Sequence, residues 1–386
     1  MENLLPEEII TDIISRLPVE SILECRRVCK NFKTLLHHPF FAHLHLLRHS
    51  HSLLLDDDDD DLKYHSHSYT AAASFSKVGF ITLWTLEDNR CHLYWGEYDD
   101  KNNECYNTLK KINHPSLKRS ILVGSCNGLL CVGVERYRVS FDPDYICNPI
   151  TREYVNLPKL TEKHGDDRIV SGFGYHPKTN EYKVVRIYYD ADQPSVGQVQ
   201  VYTLGAGTGW RNKVEIKYRL RHSFVERRGI LANGALYWLF EKGLEVVSFD
   251  LADEEFRLLP SPPISGSLWS SVRLLGLGGL LGLAQLTNNG RYIQIWSLKN
   301  NKESSGNYDI MNQQEYQSWS WSLEFTSKFD DMYQPFSITS SVPHMNSFIS
   351  LKALGEDAKI IGSTEGVIEP ELNQYIAEDE DGEARN

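Results

Sequence analysis

The side chains of this chain best suited to ligand or covalent chemistry are 14 histidines and 7 cysteines. Eight of the histidines crowd one stretch: His37, His38, His43, His45, His49, His51, His65 and His67, beside the acidic run Asp56 to Asp61. Imidazole and carboxylate both bind metals, so the spacing has to be weighed. His43, His45, His49 and His51 drift across a change from helical to extended pattern, with no cysteine beside them, and the stretch reads as a solvated loop with no metal site. The cysteines, Cys25, Cys29, Cys91, Cys105, Cys126, Cys131 and Cys147, form no CxxC pair. Cys25 and Cys29 fit small buried apolar groups better than a redox couple. HExxH, Walker, GxGxxG and GxSxG patterns are all absent. Gly205-Ala-Gly207-Thr-Gly209 lies between extended runs with no helix behind it to hold phosphate, so it reads as a hairpin turn. The expectation is a protein without catalytic residues, metal or cofactor.

Composition agrees with a binding protein built on a large core. The 386 residues are 41% hydrophobic and 24% charged, which excludes disordered, fibrous and disulfide-stapled classes. The net charge of -12 resides in two appendages, Asp56 to Asp61 and residues 369–386, each contributing -6, so the rest of the chain is neutral. A neutral body offers no basic stripe to a phosphate backbone, and nucleic acid is not an expected partner. The opening MENLLPEEII carries acids where a signal peptide needs positive charge. No run reaches the roughly 18–20 apolar residues of a membrane span. An odd cysteine count without glycosylation sequons points to reduced thiols and a cytoplasmic or nuclear location.

The elements that must position any binding surface change character near residue 50. Ile9, Ile13 and Leu17 recur at i, i+4 and i+8, with Ile10 and Ile14 widening the stripe, after Pro6 at a helix start and Glu7 and Glu8 at its positive end. Pro18 stops this helix, a second follows with Ile22, Cys25 and Cys29, and a third apolar group is Phe32, Leu35 and Leu36, giving about three short helices ending at His38-Pro39. Fewer than 50 residues cannot bury so many Ile and Leu side chains alone. Either the helices pack on the rest of the chain, or they present a face to a partner.

The run LPEEII…ISRLPVESILECRRVCKNFKTLLHHPFF resembles an F-box over nearly its whole length. The matching positions are Leu5-Pro6, Arg16-Leu17-Pro18-Val19, Ser21, Leu23, Val28-Cys29-Lys30 and Pro39-Phe40. Plant members usually carry Trp two residues after the Lys; Phe32 here keeps the aromatic bulk and loses the indole N–H. The resemblance implies docking on a Skp-type adaptor, and through it on cullin and RING subunits. Leu5, Pro6, Ile9, Ile13, Leu17, Pro18, Leu23, Val28, Cys29 and Phe32 are the residues expected to face that adaptor or to hold its docking surface in shape.

About 310 residues follow in which GLLCVGV, YKVVRIYY, QVQVYTL, ALYWLF, LEVVSFD and RYIQIWSL read as strands between Gly, Asn, Asp and Pro turns. Two units share one grammar. Asn127-Gly128-Leu129-Leu130-Cys131 resembles Asn233-Gly234-Ala235-Leu236-Tyr237, and each is followed by Asn148 or Asp250 ten residues before the proline of Leu157-Pro158 or Leu259-Pro260. Two units of another type close on Trp210 and on Trp319 and Trp321. Each unit reads as a four-stranded antiparallel sheet needing cover on both faces, which radial packing into a β-propeller supplies; a stacked sandwich is the alternative. CNGLLC, ICNPITREYVNLP and GFGYHPKTNEYKVVRI also look like the kelch-like F-box-associated domain of plant F-box proteins.

The expected architecture is α+β and multidomain: a three-helix F-box over 1–48, an all-β propeller-like body over 49–368 and an acidic tail over 369–386. The expected function is substrate receptor of a Skp-cullin-F-box ubiquitin ligase, with no bond chemistry of its own and an unidentified target protein held by the β body. The loops 136–144, 190–197 and 260–271 are its candidate rim. Rival readings are an adaptor-independent ligand- or glycan-binding propeller and a metal-dependent propeller enzyme.

Overall fold

The computed structural model describes residues 6–50, 78–86, 88–98, 109–115, 118–137, 140–159, 168–190, 193–213, 215–223, 227–264, 272–277, 279–288, 291–300, 319–328 and 340–362. Leu5, Asp56 to Asp61, residues 265–271 of the third candidate rim loop and the acidic tail lie outside these residues.

Four helices open the fold: α1 (Glu7–Ile14), α2 (Val19–Val28), α3 (Lys30–His37) and α4 (Pro39–Ser50). The fourth corrects the three-helix expectation, because Pro39, read as a stop, instead occupies the first position of α4, where its fixed φ and missing N–H cost nothing. His43, His45 and His49 therefore ride on a helix and not in a loop. Cys29 also departs from expectation: it is exposed. Its backbone is extended between α2 and α3, and its sulfur accepts the N–H of Phe32 at 3.5 Å as the N-cap of α3.

The remaining described elements are strands in five antiparallel sheets arranged as blades. Blade 1 contains β1 (Val78–Thr85), β2 (Cys91–Tyr98) and β3 (Lys110–Ile112); blade 2 contains β4 (Ser120–Cys126), β5 (Leu129–Tyr137), β6 (Ser140–Asn148) and β7 (Glu153–Asn156). Blade 3 contains β8 (Arg168–His176), β9 (Glu181–Tyr189), β10 (Gly197–Thr203) and β11 (Trp210–Asn212). Blade 4 contains β12 (Ile230–Ala232), β13 (Ala235–Leu239), β14 (Val246–Asp250) and β15 (Phe256–Leu259); blade 5 contains β16 (Val272–Leu277), β17 (Leu280–Thr287), β18 (Tyr292–Asn300) and β19 (Trp319–Lys328). Two late strands, β20 (Ser340–Pro343) and β21 (Lys359–Ile360), complete the ring. β20 pairs with β1 as the innermost strand of blade 1, so a late strand closes the ring at the blade that β1 opens. β21 pairs with β7 and gives blade 2 a fifth, outermost strand.

The repeated grammar of the sequence has a physical counterpart. Asn127 and Gly128 turn from β4 to β5 with φ of 49° and 81°, and Asn233 and Gly234 turn from β12 to β13 with φ of 45° and 73°, the left-handed pair a tight hairpin demands. Asn148 Oδ1 accepts from the N–H groups of Ile150 and Thr151, and Asp250 Oδ1 accepts from those of Ala252 and Asp253, so each residue caps the turn into its blade's last strand. The closing tryptophans reach back to the preceding blade: Trp210 donates its indole N–H to the Pro158 carbonyl at 2.7 Å and Trp321 donates to Pro260 at 2.8 Å. Blades 2 and 3 and blades 4 and 5 thus form two matched pairs.

Apolar clusters fill the seams between successive blades from 1 to 5. Ile81, Leu93 and Tyr145 lie between blades 1 and 2, Val123 and Phe173 between 2 and 3, Trp238 and Val247 between 3 and 4, and Leu239 and Leu283 between 4 and 5. Ion pairs reinforce two of these seams. Arg186 meets Asp142 at 2.6 Å, both 1% exposed, and Lys183 meets Glu254 at 2.9 Å. Three basic side chains, Arg211, Lys213 and Lys183, hold the Glu254 carboxyl down near 2 against the opposing effect of its burial.

Candidate functional site

The helices sit on one face of the ring, and the residues of α1 show how they divide between core and solvent. Ile10 and Ile14 turn inward, whereas Ile9 and Ile13, one position earlier in each turn, are 46% and 50% exposed. Pro6, Pro18 and Cys29 are exposed beside them, and Val28 is 70% exposed. Leu17, Leu23 and Phe32 are partly buried and pack against the helical core. The residues expected to serve an adaptor therefore separate into an outward apolar set (Pro6, Ile9, Ile13, Pro18, Val28, Cys29) and a supporting set (Leu17, Leu23, Phe32). Exposed apolar side chains of this size, Ile9, Ile13 and Val28, are unusual on a small helical module whose other side is packed.

Two features hold this surface in place. Arg48 of α4 forms an ion pair with Asp12 of α1 and donates to the Asp12 carbonyl at 2.6 Å. Together with Arg16 it keeps the Asp12 carboxyl below the usual carboxylate range, Arg16 having the larger effect. The second feature is a segment far along the chain. Between β20 and β21, residues 344–358 cross the blade-2 end of the ring as a strap and place Phe348 in the helical core with Ile14, Val19, Ile22, Leu36 and Phe41. The Phe348 ring lies 6.0 Å from Phe41 and 5.3 Å from His45. Burial in this apolar packing drives the His45 imidazole down to about 4.

The strap is tied by backbone and side chain alike. Asn148 Nδ2 donates to the carbonyls of Ser347 and Ile349, and Ser347 Oγ donates to the Asn127 carbonyl at 2.6 Å. Glu153 accepts from Ser350 Oγ and Leu351 N, and Glu356 accepts from Tyr202 Oη and Gly205 N. The contact is close enough to require glycine: a Cβ on Gly128 would stand 2.1 Å from Ser347 Oγ, and one on Gly205 would stand 1.8 Å from the Leu354 carbonyl. The either-or posed by the apolar surplus of the helices resolves as both, since one side packs on the propeller and another faces outward. The role of Phe348 escaped the sequence reading. Its one local signal is the short apolar run Phe348 to Leu351 after the final long strand.

In each blade the strands alternate in direction, so Tyr137 and Ser140 at the β5–β6 turn, Tyr189 and Gly197 at the β9–β10 turn and Leu259 at the end of β15 all lie at the end of the ring opposite the strap and the helices; residues 138–139, 191–192 and 265–271 of the three candidate rim loops lie outside the described residues. Glu241, at the same end, gathers Arg168 at 3.2 Å and Arg219 at 2.8 Å. Among the described residues no group of histidine, cysteine and carboxylate side chains is placed to hold a metal ion. No helix there is long and apolar enough to cross a membrane.

A propeller bearing an F-box-like helical module defines a class of interaction proteins. The F-box domain model matches residues 3–43 and the F-box associated beta propeller domain model matches residues 80–332, so the chain belongs to the F-box proteins with an F-box-associated β-propeller. It is 31% identical over 325 residues to an F-box protein of Arabidopsis thaliana, covering 76% of this chain and 69% of the relative. An F-box/kelch-repeat protein of the same plant is 25% identical over 307 residues, covering 76% and 75%. A further Arabidopsis F-box protein is 26% identical over 306 residues, covering 78% and 62%.

Proposed function

We propose that this protein is the substrate receptor of a Skp-cullin-F-box ubiquitin ligase: the outward face of the helices docks on a Skp-type adaptor, and the far end of the propeller holds a target protein. The observation that carries the reading is the exposed set Ile9, Ile13 and Val28 on a module whose other side is fixed to the propeller. A receptor of this kind breaks no bond. It raises the effective concentration of a target lysine near a thioester carried elsewhere in the assembly, and a rigid link between adaptor face and target face makes that concentration high. A cytoplasmic or nuclear setting, where that machinery operates, goes with this reading.

The test is co-expression with a plant Skp adaptor followed by co-purification. Wild type is expected to bring the adaptor down, and Ile9→Asp/Ile13→Asp is expected to lose it while keeping the wild-type melting temperature. Both positions are already half in solvent, so the free protein pays little for the charges, whereas a docked interface would have to bury them. A folded wild type that retains no adaptor would refute the receptor reading.

A further inference from the structure

The innermost strands β4, β8, β12, β16 and β20 wall the central channel, and their sequences SILVGSC, RIVSGFGYH, ILA, VRLLGL and SSVP hold no aspartate or glutamate. Arginines stand at or just before the start of four of them, Arg119, Arg168, Arg228 and Arg273, all at the channel end away from the helices. Arg119 has Glu135 at 3.0 Å and Arg168 has Glu241.

Arg228 is built in differently. Its backbone is locked to the blade-3 inner strand, because Ser171 N donates to the Arg227 carbonyl and Gly229 N donates to the Ser171 carbonyl at 2.7 Å. Gly229 lies under the Trp238 ring, where a Cβ would come within 2.6 Å, so the segment cannot shift outward. From there Arg228 Nη1 donates to the Ser341 carbonyl of β20 at 3.0 Å. Blade 1 borders neither blade 3 nor blade 4 along the ring, so the guanidinium reaches across the channel. Burial depresses its pKa below the ordinary arginine value, and among the described residues no carboxylate pairs with it. A partly buried guanidinium with no carboxylate beside it among the described residues carries a desolvation cost, and its remaining N–H groups keep the fork geometry that matches a carboxylate or phosphate.

We propose that the channel end opposite the helices is an anion site in which Arg228 receives a carboxylate or phosphate borne by an acidic segment of the target protein. The proposal rests on the reading of the propeller as the target-binding body. A protein segment suits the place better than a nucleic acid because the body of the chain is neutral and two of the four arginines at this end, Arg119 and Arg168, are already paired with Glu135 and Glu241, which leaves no continuous basic stripe. It also explains why the wall carries no acid: an acidic residue there would occupy Arg228 and repel the ligand.

The full chain, with its adaptor where the two co-purify, is titrated by fluorescence anisotropy with two labelled peptides. One contains ten glutamates and the other alternates glycine with phosphoserine; inorganic phosphate is the competitor. At least one peptide is expected to bind. Arg228→Gln should weaken it tenfold or more, Arg228→Lys less, and Arg152→Gln, exposed in the β6–β7 turn at the helix end of the ring, not at all. Unchanged melting of Arg228→Lys without peptide keeps the comparison interpretable if the glutamine variant unfolds. Binding of neither peptide by wild type, binding of inorganic phosphate alone, or equal binding by Arg228→Gln and wild type would overturn the proposal. Adaptor retained without peptide binding removes this site and leaves the receptor reading intact; peptide binding without adaptor does the reverse.

Discussion

Blades 2 and 4 are built to one plan, and a single atom separates their roles. Asn148 and Asp250 occupy the same turn, are both buried and cap it with the same Oδ1 pattern. The second atom differs. Asn148 Nδ2 is a donor and takes two carbonyls of the strap, whereas Asp250 Oδ2 is an acceptor and faces Arg257 Nη1 at 3.5 Å. The neighbouring glycines follow suit, Gly128 lying against Ser347 of the strap and Gly234 against the His176 ring. Backbone carbonyls can bind only donors, so the strap, and the helices it carries, belong on blade 2.

The strongest way to break this asymmetry is to remove what the strap delivers. Phe348→Ala should cost the helical core about 3–5 kcal/mol, as for other buried rings, and release the helices from the ring. Hydrogen exchange should then show faster exchange in α1 to α4 with the blades unchanged. Next in size is Asn148→Asp, which sets a carboxylate against two carbonyls and forfeits both hydrogen bonds, costing about 3 kcal/mol. Proteolysis should then cut the strap between β20 and β21. The reverse change, Asp250→Asn, keeps the cap and leaves Arg257 with Asp253 and Glu255, so urea unfolding should register a smaller loss than Asn148→Asp.

Acid should act on the same side of the ring. His45 lies in the helix-strap contact and His344 begins the strap; burial lowers both from 6.5 to about 4. The fold therefore holds them neutral while the unfolded chain takes up protons first. Their contribution is complete above pH 6.5 and is lost as pH falls toward 4, amounting to about 2 kcal/mol each at pH 5. Thermal melts between pH 7 and pH 5 should show this decline, and His45→Phe should remove about half of it, leaving the share of His344. The smallest effect tests the symmetry itself: Trp210→Phe and Trp321→Phe should each cost about 1 kcal/mol in urea unfolding, the value of one indole hydrogen bond, and by equal amounts in the two blade pairs.

Much of this plan is legible in the sequence because it depends on local chemistry. Asn-Gly can make a left-handed hairpin without help, Asn or Asp can cap a turn from its own side chain, and the F-box pattern is dense enough to be seen in one stretch. What stays hidden depends on residues meeting across the chain. The four residues of β20 show no period of their own and become a strand only because β1 lacks an inner partner. Phe348 looks like a stray aromatic until Ile22 and Phe41 surround it. The α1 isoleucines occupy both sides of the helix, so spacing alone cannot tell Ile13, which faces out, from Ile14, which packs in. Arg228 is equally silent, since its contact with Ser341 is made by blade 1 and the absence of acids from the channel wall by five separate strands.

The order of synthesis gives the strap a further meaning. A chain leaves the ribosome from its amino end, and domains ordinarily fold in that order. Here a module made before the blades waits on a residue made after them, because Phe348 follows the strand that shuts the ring. A nascent or truncated chain that stops before Ser340 carries helices with an unfilled core and blades with an open seam. Completion of the helical core thus reports that translation has reached the end of the propeller, and a fragment whose ring is still open is also a fragment whose helical module is unfinished.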